Sequence, residues 1–254
     1  MVKKPNDELT IVIPAKNEAK YIGTLLESLK KQDYPLIGTT KIFIADAGST
    51  DGTQDVIKSF AGDLMVEIIS GGFPSKARNN GAKKAKSKYI LFVDADMEMR
   101  NPTLLRNALS LIKRKHYHLV TTLIKCNETG GFADQFLYFL NNVAEVGSKF
   151  FSPMATGMIM LFEKQWFDKL GGFNEKVNYA EDYYLSKQTE PRRFGVLLKY
   201  ILATNRRFQK TGHWRILQLF LDTMLHSRRP EWFFKDKHYW DAVDNNKRLP
   251  KISS

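Results

Sequence analysis

The chain has 254 residues, 43% of them hydrophobic and 26% charged, which suits one large globular domain or two small ones and speaks against disorder outside the ends. Its net charge is +12, from 39 Lys and Arg against 27 Asp and Glu, so an anionic partner is favoured: nucleotide phosphates, acidic headgroups or nucleic acid. From Arg206 onward eleven basic residues stand against five acidic ones, so about half of the excess lies in a short tail. The single cysteine, Cys126, excludes an intrachain disulfide and reads as a small buried apolar residue. The polar start, Met1 to Asp7, has no signal-peptide stretch, and no run of about 18 apolar residues occurs. A cytoplasmic protein is expected, with docking on a membrane surface as the exception.

Leu9 to Ile13 is an apolar run ending at Pro14 and predicts a buried strand. Glu18 to Lys31 carries Ile22, Leu25, Leu26 and Leu29 at helical spacing. Lys41–Ala45, Leu64–Ile69 and Tyr89–Val93 predict further strands, with helices over Thr53–Phe60 and Ser75–Ser87 between them, and Pro102 suits the first turn of the next helix. This alternation predicts a mostly parallel sheet covered on both faces. The second half is less regular. Strands are expected over His118–Ile124, Gly157–Phe162 and Phe194–Ala203, and helices over Phe132–Phe151, Gln165–Leu170 and Trp214–His226.

In open α/β sheets ligands bind beyond the carboxyl ends of the strands. Those ends hold the unusual residues: Pro14-Ala15-Lys16-Asn17-Glu18, then Asp46 through Thr53, then Asp94-Ala95-Asp96. Asp94 and Asp96, two apart on extended chain, point the same way and suit a hard cation such as Mg²⁺ or Mn²⁺. Such a cation could neutralise a departing pyrophosphate, although an isolated Asp-x-Asp also occurs as a solvated acidic loop. Asp46, before a tight turn of glycines and hydroxyls, could accept a hydrogen bond from uracil N3–H, whereas Asp51 reads as an N-terminal helix residue. Lys76, Arg78 and Asn79 open a helix where cations oppose the helix dipole, which an anionic ligand would explain. Glu181-Asp182 has two readings, a general base beside an acceptor hydroxyl or acidic capping of a helix. His213 reads as a metal ligand or as an ordinary surface histidine.

The segments IVIPAKNEAKYIGTLLESL, IADAGSTDGT, KARNNGAKKAKSKYILFVDADM, TGMIMLFEKQWFDKLGGFNE and AEDYYLS, taken together, resemble the family 2 glycosyltransferases of GT-A fold. The resemblance runs from about Leu9 to about Gly212 with its five blocks in family order. It implies that Pro14, Ala15, Glu18 and Asp46 line the nucleoside site, that Arg78 lies near the donor phosphates, and that Asp94 lies near ribose and metal. It further implies Asp96 as the metal ligand and Asp182 as the base of an inverting transfer. The block ATNRRFQKTGHW is similar to a late family stretch and supports His213. Two departures matter. Ala47 stands where many relatives carry a second acid, and Gln209 to Trp214 does not match the Gln-x-x-Arg-Trp of processive members, so single-sugar transfer is expected.

The fold expected is therefore α/β of GT-A type: a Rossmann-like nucleotide-binding half over about 1–100, an acceptor half over 101–212, and a basic, aromatic, amphipathic helical tail over 213–254. Candidate donor-binding residues are Pro14, Ala15, Asn17, Glu18, Asp46, Lys76, Arg78, Asp94 and Ala95. Candidate catalytic acids are Asp182 and Glu181, and candidate ligands of Mn²⁺ or Mg²⁺ are Asp96, Asp94 and His213. The donor is expected to be a UDP- or GDP-sugar and the acceptor a lipid-linked or glycan group. The tail, with Arg215, Arg228, Arg229, Lys235, Lys237, Tyr239 and Trp240 around an apolar helix, suits peripheral contact with an anionic membrane or packing on the domain. A sugar-phosphate nucleotidyltransferase would begin with a glycine-rich phosphate loop, which is missing after the first strand. A non-enzymatic nucleic-acid or membrane module would leave the strand-end carboxylates without a role.

Overall fold

A computed structural model describes residues 4–177 and 179–235; the tail residues Lys237, Tyr239 and Trp240 lie outside them. The elements follow in the order β1 (Leu9–Ala15), α1 (Ile22–Lys30), β2 (Lys41–Asp46), α2 (Thr53–Ser59), β3 (Met65–Ser70), α3 (Pro74–Lys84), β4 (Tyr89–Val93), β5 (Met97–Glu98) and α4 (Leu104–Lys115). Then come β6 (Leu119–Cys126), α5 (Phe132–Ser148), β7 (Ile159–Glu163), α6 (Lys164–Lys169), α7 (Glu181–Ser186), β8 (Phe194–Ala203), α8 (Arg206–Thr211), α9 (His213–Leu225) and α10 (Pro230–Phe233).

All eight strands share one sheet in the order β3-β2-β1-β4-β7-β6-β8-β5. The first four strands are parallel, as the alternation predicts. Beyond β4 the sheet is mixed: β7 runs antiparallel to both β4 and β6, β6 and β8 are parallel, and β5 and β8 are antiparallel. Alternating residues of the central strands feed two cores. Ile11, Ile13, Leu91 and Val93 pack on one face, and Val12, Ile90 and Phe92 on the other. Burial on both faces explains why β1 and β4 are unbroken apolar runs.

Helix α3 lies close on β1. A Cβ at Gly81 would sit 2.4 Å from Val12 Cγ1, so only glycine permits that approach. The two-residue strand β5, too short to leave a sequence pattern, pairs Met97 with Ala203 and closes the sheet edge beside Asp96. The tail packs on the domain as far as it is described: Leu219, Trp232 and Phe233 are buried, the last two beside Met154, Val177 and Tyr183.

Among the described residues, one fully buried acid has no cation against it. Glu145 of α5 is fully buried, its Oε1 accepts from the Thr156 N–H at 2.9 Å, and its Oε2 has no hydrogen-bond partner. Burial pushes this carboxyl up to about 8, so it is neutral at pH 7. A folded-state value above the unfolded one means that the native state holds the extra proton, and stability falls as pH rises between them. Glu145→Gln, which mimics the neutral acid, is therefore expected to melt increasingly above the parent as pH is raised from 5 to 9. Each kcal/mol corresponds to about 2–4 °C in a domain of this size. Parallel melting curves across that range would show that Glu145 carries no such proton.

Candidate active site

The carboxyl ends of β1, β2 and β4 open into a cavity of about 890 Å³. Its wall includes Pro14, Ala15, Asn17 and Glu18 after β1, Ala47 after β2, and Asp94, Ala95 and Asp96 after β4. The second half contributes Thr156 and Gly157 before β7, Glu181 and Asp182 of α7, and Arg206 and Arg207 of α8. The candidate residues of both halves thus meet in one place.

Arg78, near the start of α3 and 3% exposed, joins them. Its Nη2 donates to Asp94 Oδ1 at 2.7 Å and to the Gly157 carbonyl at 3.3 Å, while Nη1 donates to Glu181 Oε1 at 2.9 Å. Its guanidinium carbon lies 5.3 Å from the Phe173 ring centre, and Phe173 stands edge-on to Phe92 of β4. Burial raises the Asp94 carboxyl and Arg78 pulls it down; Glu181 is raised by burial and by the adjacent Asp182. The next residue, Asn79, donates from Nδ2 to the Phe173 carbonyl at 2.8 Å and accepts from the Phe173 N–H at 3.0 Å. Arg78 and Asn79 together bind α3 to the Gly-Gly-Phe-Asn-Glu loop and to α7.

Asp182 is held differently from Glu181. Its Oδ2 accepts from the Gly157 N–H at 2.5 Å and its Oδ1 from the Tyr183 N–H at 2.8 Å. Neither contact is a salt bridge, and the carboxylate remains on the cavity wall. Ala180, which precedes α7, has φ 54°. That left-handed conformation is costly for a residue with a Cβ and turns α7 so that both acids face the cavity. Of the two candidate acids, Glu181 is committed to Arg78, whereas Asp182 is oriented by backbone amides.

A second arginine, Arg206, spans the other pair of acids. Its Nε donates to Asp96 Oδ2 at 2.8 Å, and Nη1 and Nη2 grip the two oxygens of Glu18 at 2.8 and 2.6 Å. Thr204 Oγ1 donates to the same Asp96 oxygen at 3.1 Å. The pairing of β5 with β8 brings these residues together across more than a hundred positions of sequence. Burial pushes Glu18 up to about 7, against the pull of Arg206. Sequence reading missed Arg206, although its block was noticed; the guanidinium fork matched to carboxylates is the signal that marks it.

Three candidates sit elsewhere. His213 does not line the cavity. Its Nε2 is 2.6 Å from Asp134 Oδ1 and its ring stacks on Phe208, so it fastens the start of α9 to α5 instead of joining Asp96. Lys76 is exposed at the first turn of α3 and does not line the cavity, whereas Arg78, two residues on, is buried against it. The Asp46 carboxylate lies below the wall, accepting from Ser49 N–H at 3.2 Å and from Gln54 Nε2 at 2.7 Å. Asn17 lines the wall but also ties two loops: it accepts from Thr50 N–H at 2.9 Å and donates its own N–H to Ser49 Oγ at 2.8 Å. Asp51 lies just before α2, next to its N-cap Gly52, and accepts from Thr53 N–H at 3.1 Å.

Asp94 and Asp96 present hard oxygen donors, and a positive charge already rests between Asp96 and Glu18, so the spot suits a cation. Among the described residues no three His, Cys, Asp or Glu side chains form a ready-made metal cage. A cation here would need further oxygens from a ligand, as Mg²⁺ and Mn²⁺ commonly take from phosphates.

The chain is similar to poly(ribitol-phosphate) beta-N-acetylglucosaminyltransferase TarS of Staphylococcus aureus, with 31% identity over 128 residues, 49% of this chain and 22% of TarS. It therefore spans less than a quarter of that relative. A crystal structure of TarS 1-349 in complex with UDP-GlcNAc superposes with a TM-score of 0.61 at 25% identity, covering 78% of this chain and 58% of that one. The 4,4'-diaponeurosporenoate glycosyltransferase of the same species is 30% identical over 59% of this chain and 40% of its own. The mannosyltransferase PcManGT from Pyrobaculum calidifontis, in complex with GDP-Man and Mn²⁺, shares the fold with a TM-score of 0.63 at 19% identity, covering 95% of this chain and 75% of that one. These are glycosyltransferase structures, and the fold is GT-A. The family model described as glycosyl transferase family 2 matches residues 10–171, well over half of the sequence, and the chain belongs to that family.

Proposed function

We propose that the protein transfers a single sugar from a UDP- or GDP-sugar to an acceptor hydroxyl or lipid phosphate, with inversion at the anomeric carbon and with Mn²⁺ or Mg²⁺. The observation that carries this reading is the convergence of Asp94, Asp96 and Asp182 on one cavity, with Arg78 joining Asp94 to the Gly157 segment whose N–H holds Asp182, and Arg206 holding Asp96. The donors named for TarS and PcManGT support a nucleotide sugar, and the Mn²⁺ of PcManGT supports a divalent ion. Peripheral action at the cytoplasmic face of a membrane fits the charge of the tail. Among the described residues no helix is long and apolar enough to cross a membrane.

Asp96, with Asp94 beside it, would hold the ion, and the bound ion supplies charge neutralisation to the departing diphosphate. Arg206 exchanges its hold on Asp96 and Glu18 for the anionic donor, keeping the positive charge of the cavity matched as the donor enters. Pro14, Ala15 and Asn17 border the nucleoside end. Asp182 accepts the proton of the acceptor hydroxyl while that oxygen attacks the anomeric carbon from the face opposite the leaving group. The Gly157 and Tyr183 amides hold the carboxylate in place, so little reorientation is needed at the moment of attack.

Asp182→Asn is expected to bind UDP- or GDP-sugar with Mn²⁺ as the parent does in calorimetry, while turnover drops about 10²–10⁴-fold; undiminished turnover would remove Asp182 as the base. Gly157→Ala tests the joint between base and clamp. The added Cβ would lie 2.8 Å from Arg78 Nη2 and 3.2 Å from Asp182 Oδ2, so kcat is expected to fall about 100-fold by misplacement of reacting groups. A kcat equal to the parent's would show that the spacing is not critical.

A further inference from the structure

The cavity wall changes character along its length. Beyond the charged groups it is mostly apolar, with Leu137 and Leu140 of α5 and Ile216, Leu217, Phe220 and Met224 of α9, and with Asn141 and Thr223 as polar members from the same helices. No part of a nucleotide sugar requires an apolar channel of this kind. The two helices pack against each other, and the His213–Asp134 contact joins them at one end. Their inner sides thus form an apolar extension of the site that holds Asp182.

The outer sides of the same helices are apolar too. Every exposed position of α5 is apolar: Phe132, Ala133, Phe136, Phe139 and Val143. The four large ones follow the i, i+4, i+7, i+11 spacing of a single helical stripe. Both acids of α5, Asp134 and Glu145, are buried. Phe132 is 88% exposed, Phe151, just after the helix, 85%, and Trp214 of α9 84%. Rings so uncovered on adjoining helices mark an interaction surface, not scattered surface residues. Lys149 and Arg215 border the rings, and the exposed Arg228 and Arg229 follow α9.

We infer that the acceptor is a membrane amphiphile, with its sugar-accepting head at Asp182 and its chain between α5 and α9, taken from an anionic bilayer into which the exposed rings of those helices insert. The inference rests on the proposed function and assigns the acceptor class of that site. Charge selects the occupant of the outer face. Basic residues around an apolar helical face complement anionic headgroups, whereas a second copy of the chain docked by two-fold symmetry would bring the same arginines against each other. Continuity is the second argument, since the helices that expose rings outward line the cavity inward.

The test uses the full chain in three measurements. First, the protein is floated with phosphatidylcholine vesicles with and without phosphatidylglycerol. Flotation is expected only when the anionic lipid is present, and the combined variant Phe132→Ser, Phe136→Ser, Phe139→Ser is expected to lose it at least tenfold. Its melting temperature is compared with the parent's, and since all three positions are exposed it is expected to fold. Second, a long-chain alkyl phosphate carrying a diazirine at mid-chain is photolysed with the protein. Labels are expected on Leu140, Leu217 or Phe220, and a short-chain analogue is expected to leave them unlabelled. Third, UDP and GDP binding with Mn²⁺ is measured on the same samples, which reports the donor site separately. Equal flotation of parent and variant, labels confined to other segments, or a concentration-dependent dimer that the variant abolishes would each overturn the lipid inference while leaving a bound nucleotide, and with it the proposed function, intact.

Discussion

The architecture of the site depends on one buried guanidinium. Arg78 is reached from Asp94 at the end of β4, from Glu181 at the start of α7 and from the Gly157 carbonyl before β7. These groups come from segments separated by up to 103 positions in sequence. Desolvating such a cation is costly, and the cost is offset only when several acceptors meet it in good geometry. Removing one partner of a buried pair typically destabilises by about 3–5 kcal/mol, because the charge left behind is uncompensated. Arg78 therefore couples the end of β4 to the start of α7 and the segment before β7: neither set of acids is well placed without the other.

Around that clamp the acids divide by environment. Asp94 and Glu181 are ion-paired within the protein. Asp96 and Glu18 share Arg206, which is part of a later segment and about a third exposed. Asp182 is oriented by the Gly157 and Tyr183 amides. Arg78 thus compensates Asp94 and Glu181, Arg206 compensates Asp96 and Glu18, and among the described residues Asp182 has no salt bridge. Under the proposed function this ordering would give a rigid position to the base and an adaptable one to the donor end.

Much of this was legible in the sequence for a simple reason. Strands buried on both faces must be apolar throughout, so β1, β2 and β4 stand out, and polar residues directly after them lie on the ligand side of the sheet. Residue type marked the acids, but pairing could not be read from it. Lys76 and Arg78 share one helical turn, yet only Arg78 points inward. Arg206 and His213 lie in one block, and the cation facing Asp96 is Arg206, because the short β5–β8 pairing brings Thr204 and Arg206 to that acid. Asp46 was marked correctly as a strand-end acid, but Ser49 and Gln54 occupy its carboxylate. The aromatic richness of α5 was visible from the start; which rings face outward needed the packing of α5 on β6 and α9.

We propose that the acids at the strand ends and Asp182 serve one nucleotide-sugar site. The most direct test is a crystal structure of the protein grown with Mn²⁺ and a nucleoside diphosphate, with anomalous scattering recorded for the metal. A manganese peak is expected beside the Asp96 carboxylate, with the diphosphate against it and Arg206 turned away from Asp96 towards the phosphates. Nucleotide bound outside this cavity, or manganese away from Asp96 while Arg206 still grips Asp96 and Glu18, would contradict the proposal.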